Sequence, residues 1–325
     1  MNESNSLITA IDADELRTQF GERVAFDISL APYTSWHIGG PADALVTVND
    51  SEELAWLLRF SLRRRMSWFV LGYGSNILIG DGGIRGIVIR LAGTFTGITF
   101  DEDDHGDEVW VTAGGGASLA LFVGQGASRG AAGIEALAGI PGSIGGAVRM
   151  NAGTSREIGE FAREVRVQSL SQPLPHTVPV TYVYRKSTIA PEAIITQVRL
   201  AFPQDDPTRI RASLQERLIR RKATQPVALP SGGSCFRNPE NERAGQLIEA
   251  IGAKGWRIGG ALVSPIHANF IVNDGGASAE DVAKLMTRIR RTVEAERGII
   301  LVPEVHFVGV FTSTESQQAA VGVHG

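Results

Sequence analysis

Apolar positions along the chain alternate between helical and strand periods. From Asp50 to Arg65, Leu54, Leu57, Leu58 and Leu62 predict the buried face of a helix. Asp50 and Ser51 offer caps, Glu52 and Glu53 lie in the first turn, and Arg63 to Arg65 complement the C-terminal dipole. The run Trp-Phe-Val-Leu over 68–71 predicts a strand, followed by the turn Gly72-Tyr73-Gly74-Ser75-Asn76 and short apolar runs at 77–79 and 87–90. The result is an α/β unit ending in a glycine loop. Further on, residues 109–113 predict a strand, 114–116 a glycine turn, and the stretch from Ser118 a helix. Strands follow near 164–170, 178–184 and 194–202, the last alternating Ile195, Gln197 and Arg199 with Thr196, Val198, Leu200 and Phe202 as a half-buried sheet does.

A boundary falls at Pro203-Gln204-Asp205-Asp206-Pro207, where Asp206 caps a helix whose first residue is Pro207 and whose stripe is Ile210, Leu214 and Leu218. Beyond it come a glycine turn at 231–234, a short helix over 243–251 ended by Gly252, and strands near 261–264 and 268–273. A long helix runs from Ser278 to Arg297. Ser278 and Asp281 form its capping box, Val282, Leu285, Met286, Ile289 and Val293 its buried face, and Gly298 its stop. A final strand alternates Leu301, Pro303, Val305 and Phe307. No internal repeat is evident.

Composition narrows the class. A chain of 325 residues has room for two or three domains. Its one cysteine, Cys235, permits no intrachain disulfide, which makes the cytoplasm the default location. A net charge of −4 argues against a nucleic-acid partner, which calls for a net basic face. Met1 to Glu15 has no Lys or Arg and so lacks a signal peptide's basic region. The longest weakly polar stretch, Ala136 to Val148, is broken by Pro141 and four glycines and falls short of the ~20 residues that span a bilayer. No membrane or obligatory protein partner is indicated, and the polar, aperiodic tail over 311–325 has the pattern of disorder. The histidines, His37, His105, His176, His267, His306 and His324, show no ligand spacing, and no metal is expected.

Glycine is the exception, at 38 of 325 residues, with 23 of them between Gly39 and Gly153. Each G-x-G in that segment fails the dinucleotide fingerprint at its third position: Gly72/Gly74 meet Ile77, Gly80/Gly82 meet Arg85, Gly114/Gly116 meet Leu119 and Gly124/Gly126 meet Arg129. A Walker loop is also absent. Gly72 to Asn76 remains the best anion-binding loop, with a tight turn as the alternative.

Several segments together resemble the UDP-N-acetylenolpyruvoylglucosamine reductase family of flavoenzymes. They are S-W-H-I-G-G-P-A (35–42), L-G-Y-G-S-N-I-L-I (71–79), G-I-P-G-S-I-G-G-A-V (139–148), M-N-A-G (150–153), Y-R-K-S (184–187), P-S-G-G-S-C-F-R-N-P (230–239), S-P-I-H-A-N-F-I-V-N (264–273) and L-V-P-E-V (301–305). They run in the family's order from Tyr33 to Val310, and the short spacing after Arg185 resembles the subgroup without the extra loop. The resemblance implies an α+β fold: a two-part FAD-binding unit of the vanillyl-alcohol-oxidase (PCMH) type, then a C-terminal α+β substrate-binding domain. The division it suggests is 1–18 as an extension, 19–91 and 92–203 as FAD-binding subdomains, 204–310 as the substrate domain and 311–325 as a tail.

It further implies FAD held without a covalent bond, its diphosphate against Gly72, Tyr73, Gly74, Ser75, Asn76 and Ile77. Gly139, Pro141, Gly142, Ser143, Gly145 and Gly146 would pass close to the isoalloxazine. NADPH would serve as co-substrate, giving a hydride to flavin N5 for delivery to C3 of an enolpyruvyl ether on a UDP-sugar in peptidoglycan precursor synthesis. Negative charge then develops at C2, which must receive a proton.

Ser234 matches the family's proton donor, although a lone serine beside two glycines reads as a turn residue. Arg185 would pair with the substrate carboxylate or the developing enolate; by itself it reads as a surface arginine at a strand end. Glu304, set among Leu301, Val302, Val305 and Phe307, either faces solvent by alternation or is paired in a site, and the resemblance makes it the third catalytic residue. Tyr184, Lys222, Asn238, His267 and Asn269 are the candidates for the UDP-sugar. Arg220, Arg221 and Lys222 also read as a helix-end cluster, and His267 as a structural histidine. Cys235 is expected to be packing. The pattern departs from the family at Tyr73, at Thr154-Ser155-Arg156 and at His306. Two alternatives are another FAD-linked oxidoreductase of the same fold and a non-catalytic UDP-sugar-binding module.

Overall fold

The computed structural model describes residues 7–103 and 106–312, so the tail from 313 onward lies outside the described residues. The first unit comprises α1 (Ala10–Phe20), β1 (Val24–Ser29), β2 (Pro41–Val48), α2 (Ser51–Arg64), β3 (Trp68–Val70), β4 (Ile77–Ile79) and β5 (Ile84–Leu91). Its sheet has the order β1-β2-β5-β3, with β2, β5 and β3 parallel and β1 antiparallel to β2. Asp50 caps α2 as expected, accepting from the N–H groups of Glu52 and Glu53. Leu54, Leu57 and Leu58 are buried against the sheet, whereas Leu62, in the last turn beyond it, is exposed. No sequence pattern announced α1. Thr9 and Asp12 close it with a capping box, and Leu16 and Phe20 pack into the same core as Phe60.

The second unit comprises β6 (Ile98–Phe100), β7 (Glu108–Gly114), α3 (Leu119–Ser128), α4 (Ile144–Arg149), β8 (Ala162–Gln168), β9 (His176–Val178), β10 (Tyr182–Val183), β11 (Lys186–Ser187) and β12 (Ile194–Pro203). Five of these strands form an antiparallel sheet, β6-β7-β12-β8-β9. The strand expected over 178–184 is divided. Pro179, which has no N–H to donate, ends β9, and the chain re-forms as the separate hairpin β10–β11. On the core face Phe161 stacks on Phe202 with centroids 4.3 Å apart.

The third unit holds α5 (Pro207–Thr224), β13 (Ser231–Ser234), α6 (Ala244–Ala250), β14 (Arg257–Ile258), β15 (Ala261–Val263), β16 (Phe270–Asn273), α7 (Ala279–Arg297) and β17 (His306–Val308). Its antiparallel sheet runs β13-β16-β15-β14, and α7 carries the expected capping box and a left-handed Gly298 stop. Only Ile210 of the α5 stripe is fully buried; Leu218 is exposed, because the second half of α5 lies at the surface beside the Gly139 loop. The expected turn at 231–234 is instead the edge strand β13, whose register against β16 shifts between Ser231 and Ser234. The expected last strand is regular only over β17. Residues 301–305 keep their alternation, with Leu301, Pro303 and Val305 buried, but pair through one isolated bridge, Phe236 to Pro303.

The units interlock. Strand β17 leaves the third unit to pair in parallel with β4 of the first, His306 opposite Ile77. Trp36 is fully buried in the core of the third unit, its Nε1 donating to the Ile271 carbonyl at 2.9 Å. Asp81 accepts the Ala279 and Glu280 N–H groups of α7 at 2.8 and 3.0 Å.

Candidate active site

Three segments converge where the units meet. Residues 235–237 and 302–304 run side by side: the Glu304 N–H donates to the Cys235 carbonyl and the Arg237 N–H to the Val302 carbonyl, both at 2.9 Å. On its other side the 304–306 segment meets the first glycine loop. The Asn76 amide donates to the Glu304 carbonyl at 3.2 Å, and the His306 N–H to the Asn76 carbonyl at 3.0 Å. The hairpin β10–β11 delivers the third component. Arg185 stands at its tip, and its Nε donates to Glu304 Oε1 at 3.0 Å. The alternation at Glu304 thus resolves into a paired carboxylate, with 18% of its side chain exposed. Burial pushes the Glu304 carboxyl above its ordinary value, against the lowering effect of the Arg185 and Arg237 charges.

Arg185 adopts φ +57°, a left-handed conformation that costs energy in a non-glycine residue, and its guanidinium lies 5.0 Å from the Tyr184 ring centroid. Tyr184 itself is half exposed. Cys235 is buried, its thiol pushed up to about 12 by desolvation, which makes it a poor nucleophile and fits the packing role.

Ser234, Asn238, His267 and Asn269 line one cavity of about 460 Å³, together with Arg243, Gln246, Glu249 and Ile266. Asn269 is the clamp of this wall. Its amide donates to the Phe236 carbonyl at 2.8 Å and accepts from the Phe236 N–H at 3.0 Å, fixing the backbone just after Ser234. Asn238 accepts from the Ala244 N–H at 3.1 Å and so ties the segment to α6. Burial and the Lys254 charge lower the His267 pKa, keeping the ring neutral near pH 7. Lys222 is not among the residues lining this cavity; it is exposed near the end of α5. Its neighbour Arg221 is the half-buried one, beside Gly139, where a Cβ would come within 2.9 Å of its Cδ. Arg221 and Arg243 had no signature in the sequence beyond their charge.

The two glycine loops meet beside Glu304. The Ser75 hydroxyl donates to the Pro141 carbonyl at 2.9 Å, and a Cβ on Gly72 would lie 2.8 Å from Ser143 Oγ. The N–H groups of Gly72, Tyr73, Gly74, Ser75 and Asn76 donate to no described residue. A curl of free N–H donors with no Cβ at Gly72 and Gly74 suits a diphosphate, so these residues fit FAD. Not every glycine of the second loop serves cofactor approach. Gly139 is crowded by Arg221 and Leu218, and a Cβ on Gly145 would meet the Gly115 carbonyl at 2.8 Å. Of the departures, Tyr73 is exposed, Thr154 Oγ1 donates to the Ala136 carbonyl at 2.7 Å, and Arg156 pairs with Glu160 at 2.8 Å.

Comparison with known proteins agrees with this geometry. The FAD binding domain model matches residues 42–167, and the model of the UDP-N-acetylenolpyruvoylglucosamine reductase C-terminal domain matches 225–308. The chain is 40% identical over 290 residues to the UDP-N-acetylenolpyruvoylglucosamine reductase of Anaeromyxobacter dehalogenans, covering 88% of this chain and 85% of that protein. It is 38% identical over 305 residues to that of Moorella thermoacetica, covering 93% and 98%. The crystal structure of the Thermus caldophilus reductase (MurB) superposes with a TM-score of 0.73 at 37% identity, over 86% of this chain and 97% of that one. The chain therefore belongs to the UDP-N-acetylenolpyruvoylglucosamine reductase family, FAD-dependent oxidoreductases of peptidoglycan precursor synthesis with the two-part flavin-binding fold and a C-terminal substrate domain.

Proposed function

We propose that this chain reduces the enolpyruvyl ether of UDP-N-acetylglucosamine enolpyruvate to UDP-N-acetylmuramate with NADPH, in the cytoplasm. The observation that carries the reading is the Arg185–Glu304 pair, bonded through the Glu304 N–H to Cys235, the residue after Ser234, and through the Glu304 carbonyl to Asn76 at the end of the glycine loop with free N–H groups. FAD, held at the Gly72–Asn76 loop, would supply the hydride-transfer chemistry that links NADPH to C3 of the substrate. Ser234 then delivers a proton to C2, so that the double bond gains one hydride and one proton. A serine hydroxyl is a weak acid, and the transfer depends on its fixed position next to the Asn269 clamp and on the charge developing at C2. Arg185 holds the substrate carboxylate, over which that charge spreads. Glu304, with its raised pKa, holds a proton near neutral pH more readily than an ordinary carboxyl and assists its delivery.

The UDP-sugar takes the cavity beside Ser234, contacted by Asn238, His267 and Arg243, with Asn269 shaping the wall; Tyr184 and Lys222 are exposed and lie outside its lining. We take FAD-binding subdomains at 19–91 and 92–203 and a substrate domain at 204–310, a division supported by the three larger sheets and crossed by the β17–β4 pair. Residues 10–18 of the segment expected to be an extension lie in α1 (Ala10–Phe20), which packs into the core of the first subdomain.

The test is spectroscopic. The purified protein should be yellow, should bleach under anaerobic NADPH, and should recover its colour when the enolpyruvyl UDP-sugar is added. Failure of that substrate to reoxidise the flavin would sink the assignment and favour another oxidoreductase of the fold. A colourless protein would favour a binding module.

A further inference from the structure

Arg185 is approached by two carboxylates. Its Nε meets Glu304 at 3.0 Å, and its Nη1 lies 3.8 Å from Glu157 Oε1 and donates to the Asn151 carbonyl at 3.5 Å. Behind this cluster sits Asn151, 2% exposed and at φ +46°. Its amide donates to Glu157 Oε2 and, at 3.0 Å, to the Val183 carbonyl next to the hairpin turn, and its oxygen accepts from the Gly159 N–H at 3.0 Å. One buried amide therefore ties together Glu157 and the hairpin whose turn carries Arg185.

We propose that Glu157, held by Asn151, is the standing counter-ion of Arg185: a positioning residue that keeps the guanidinium oriented and neutralised while Glu304 carries a proton. The inference rests on the reductase roles given to Arg185 and Glu304. Its physical basis is charge balance in a partly dehydrated site. One guanidinium between two ionised carboxylates leaves a net negative charge, and a proton on one of them removes it. Glu304 is the group whose burial raises its pKa. If Glu304 were the only partner of Arg185, protonating it would leave the guanidinium unpaired; Glu157 removes that penalty. The groups facing Glu304 are Arg185 on the hairpin, Arg237 and the Cys235 thiol on the adjoining segment, and Glu157 beyond Arg185.

The experiment uses the flavin-loaded enzyme and measures anaerobic, substrate-driven flavin reoxidation across pH. E157Q keeps the shape and the acceptor for Asn151 but removes the charge. The full Arg185 charge then acts on Glu304, and the pH at which reoxidation declines should fall by about one unit. Above that limb the variant should be about tenfold slower. E157D, with charge but shorter reach, should shift the limb the same way by less, and it serves as the reading should E157Q not retain flavin. An unmoved limb in the folded variants overturns the inference. R185Q and E304Q separate the two failures. If neither slows reoxidation, the catalytic assignment fails; if both do and the Glu157 variants match wild type, only the role of Glu157 fails.

Discussion

Ser234 shows how little a residue's identity says about its chemistry. It lines the cavity just before a stretch of backbone that Asn269 clamps through two side-chain hydrogen bonds to Phe236. Replacing Ser234 by Ala should leave NADPH bleaching of the flavin intact and slow substrate-driven reoxidation by roughly 10²–10⁴-fold, the usual worth of a positioned proton donor. Stopped-flow traces of the two half-reactions check this, and equal loss in both would mark Ser234 as structural. The proposed trio, Ser234, Arg185 and Glu304, could be named from the sequence because each member sits in a motif that resembles the family's. Glu157 and Asn151 could not, because their task is defined by a hairpin some thirty residues on, and no local pattern records that contact. The left-handed backbone of Arg185 was equally invisible, since an arginine carries no sign of the turn it is forced to occupy.

At the scale of elements, helices were read better than strands. Caps and stop signals are local, so α2, α5 and α7 stand where their Asp50, Asp206 and Ser278 caps placed them. Strand β13 was mistaken for a turn because its glycines answer to a distant partner. Gly232 packs beneath Trp36, and a Cβ there would lie 2.6 Å from the indole Cζ3. Trp36 is anchored at both ends, its Nε1 to the Ile271 carbonyl and its own carbonyl to the Asn273 amide, so it cannot yield. Gly232→Ala should therefore destabilise the protein by about 1–3 kcal/mol and displace Ser234 two residues along. Urea denaturation reads the first effect. The second should appear as slower substrate-driven reoxidation with NADPH reduction preserved; a variant of wild-type stability would show that Trp36 has room to move.

For the whole molecule, a linear division with a boundary at 203–207 understates how the units share one site. Glu304 is held from the third unit by Cys235, from the first by Asn76 and from the second by Arg185, so its environment exists only in the assembled protein. That environment has a thermodynamic signature. Burial raises the folded pKa of Glu304 above its ordinary 4.5, so the folded protein binds this proton more tightly than the unfolded chain. The stability linked to this proton is fully present below about the ordinary value and is lost as pH rises through the raised folded value. Above the raised value the native protein carries an unfavourable buried charge at Glu304. Glu304→Gln, which still accepts from Arg185 Nε, should melt at a higher temperature than wild type at pH 8. The difference should close as pH falls below 4.5, where both side chains are neutral and the other carboxylates titrate alike in the two proteins. Substrate-driven reoxidation should be lost throughout. Melting curves at a series of pH values decide the matter: a variant less stable than wild type at pH 8 would mean that the Arg185 ion pair outweighs the desolvation of the carboxylate, and that the site stabilises the fold instead of straining it.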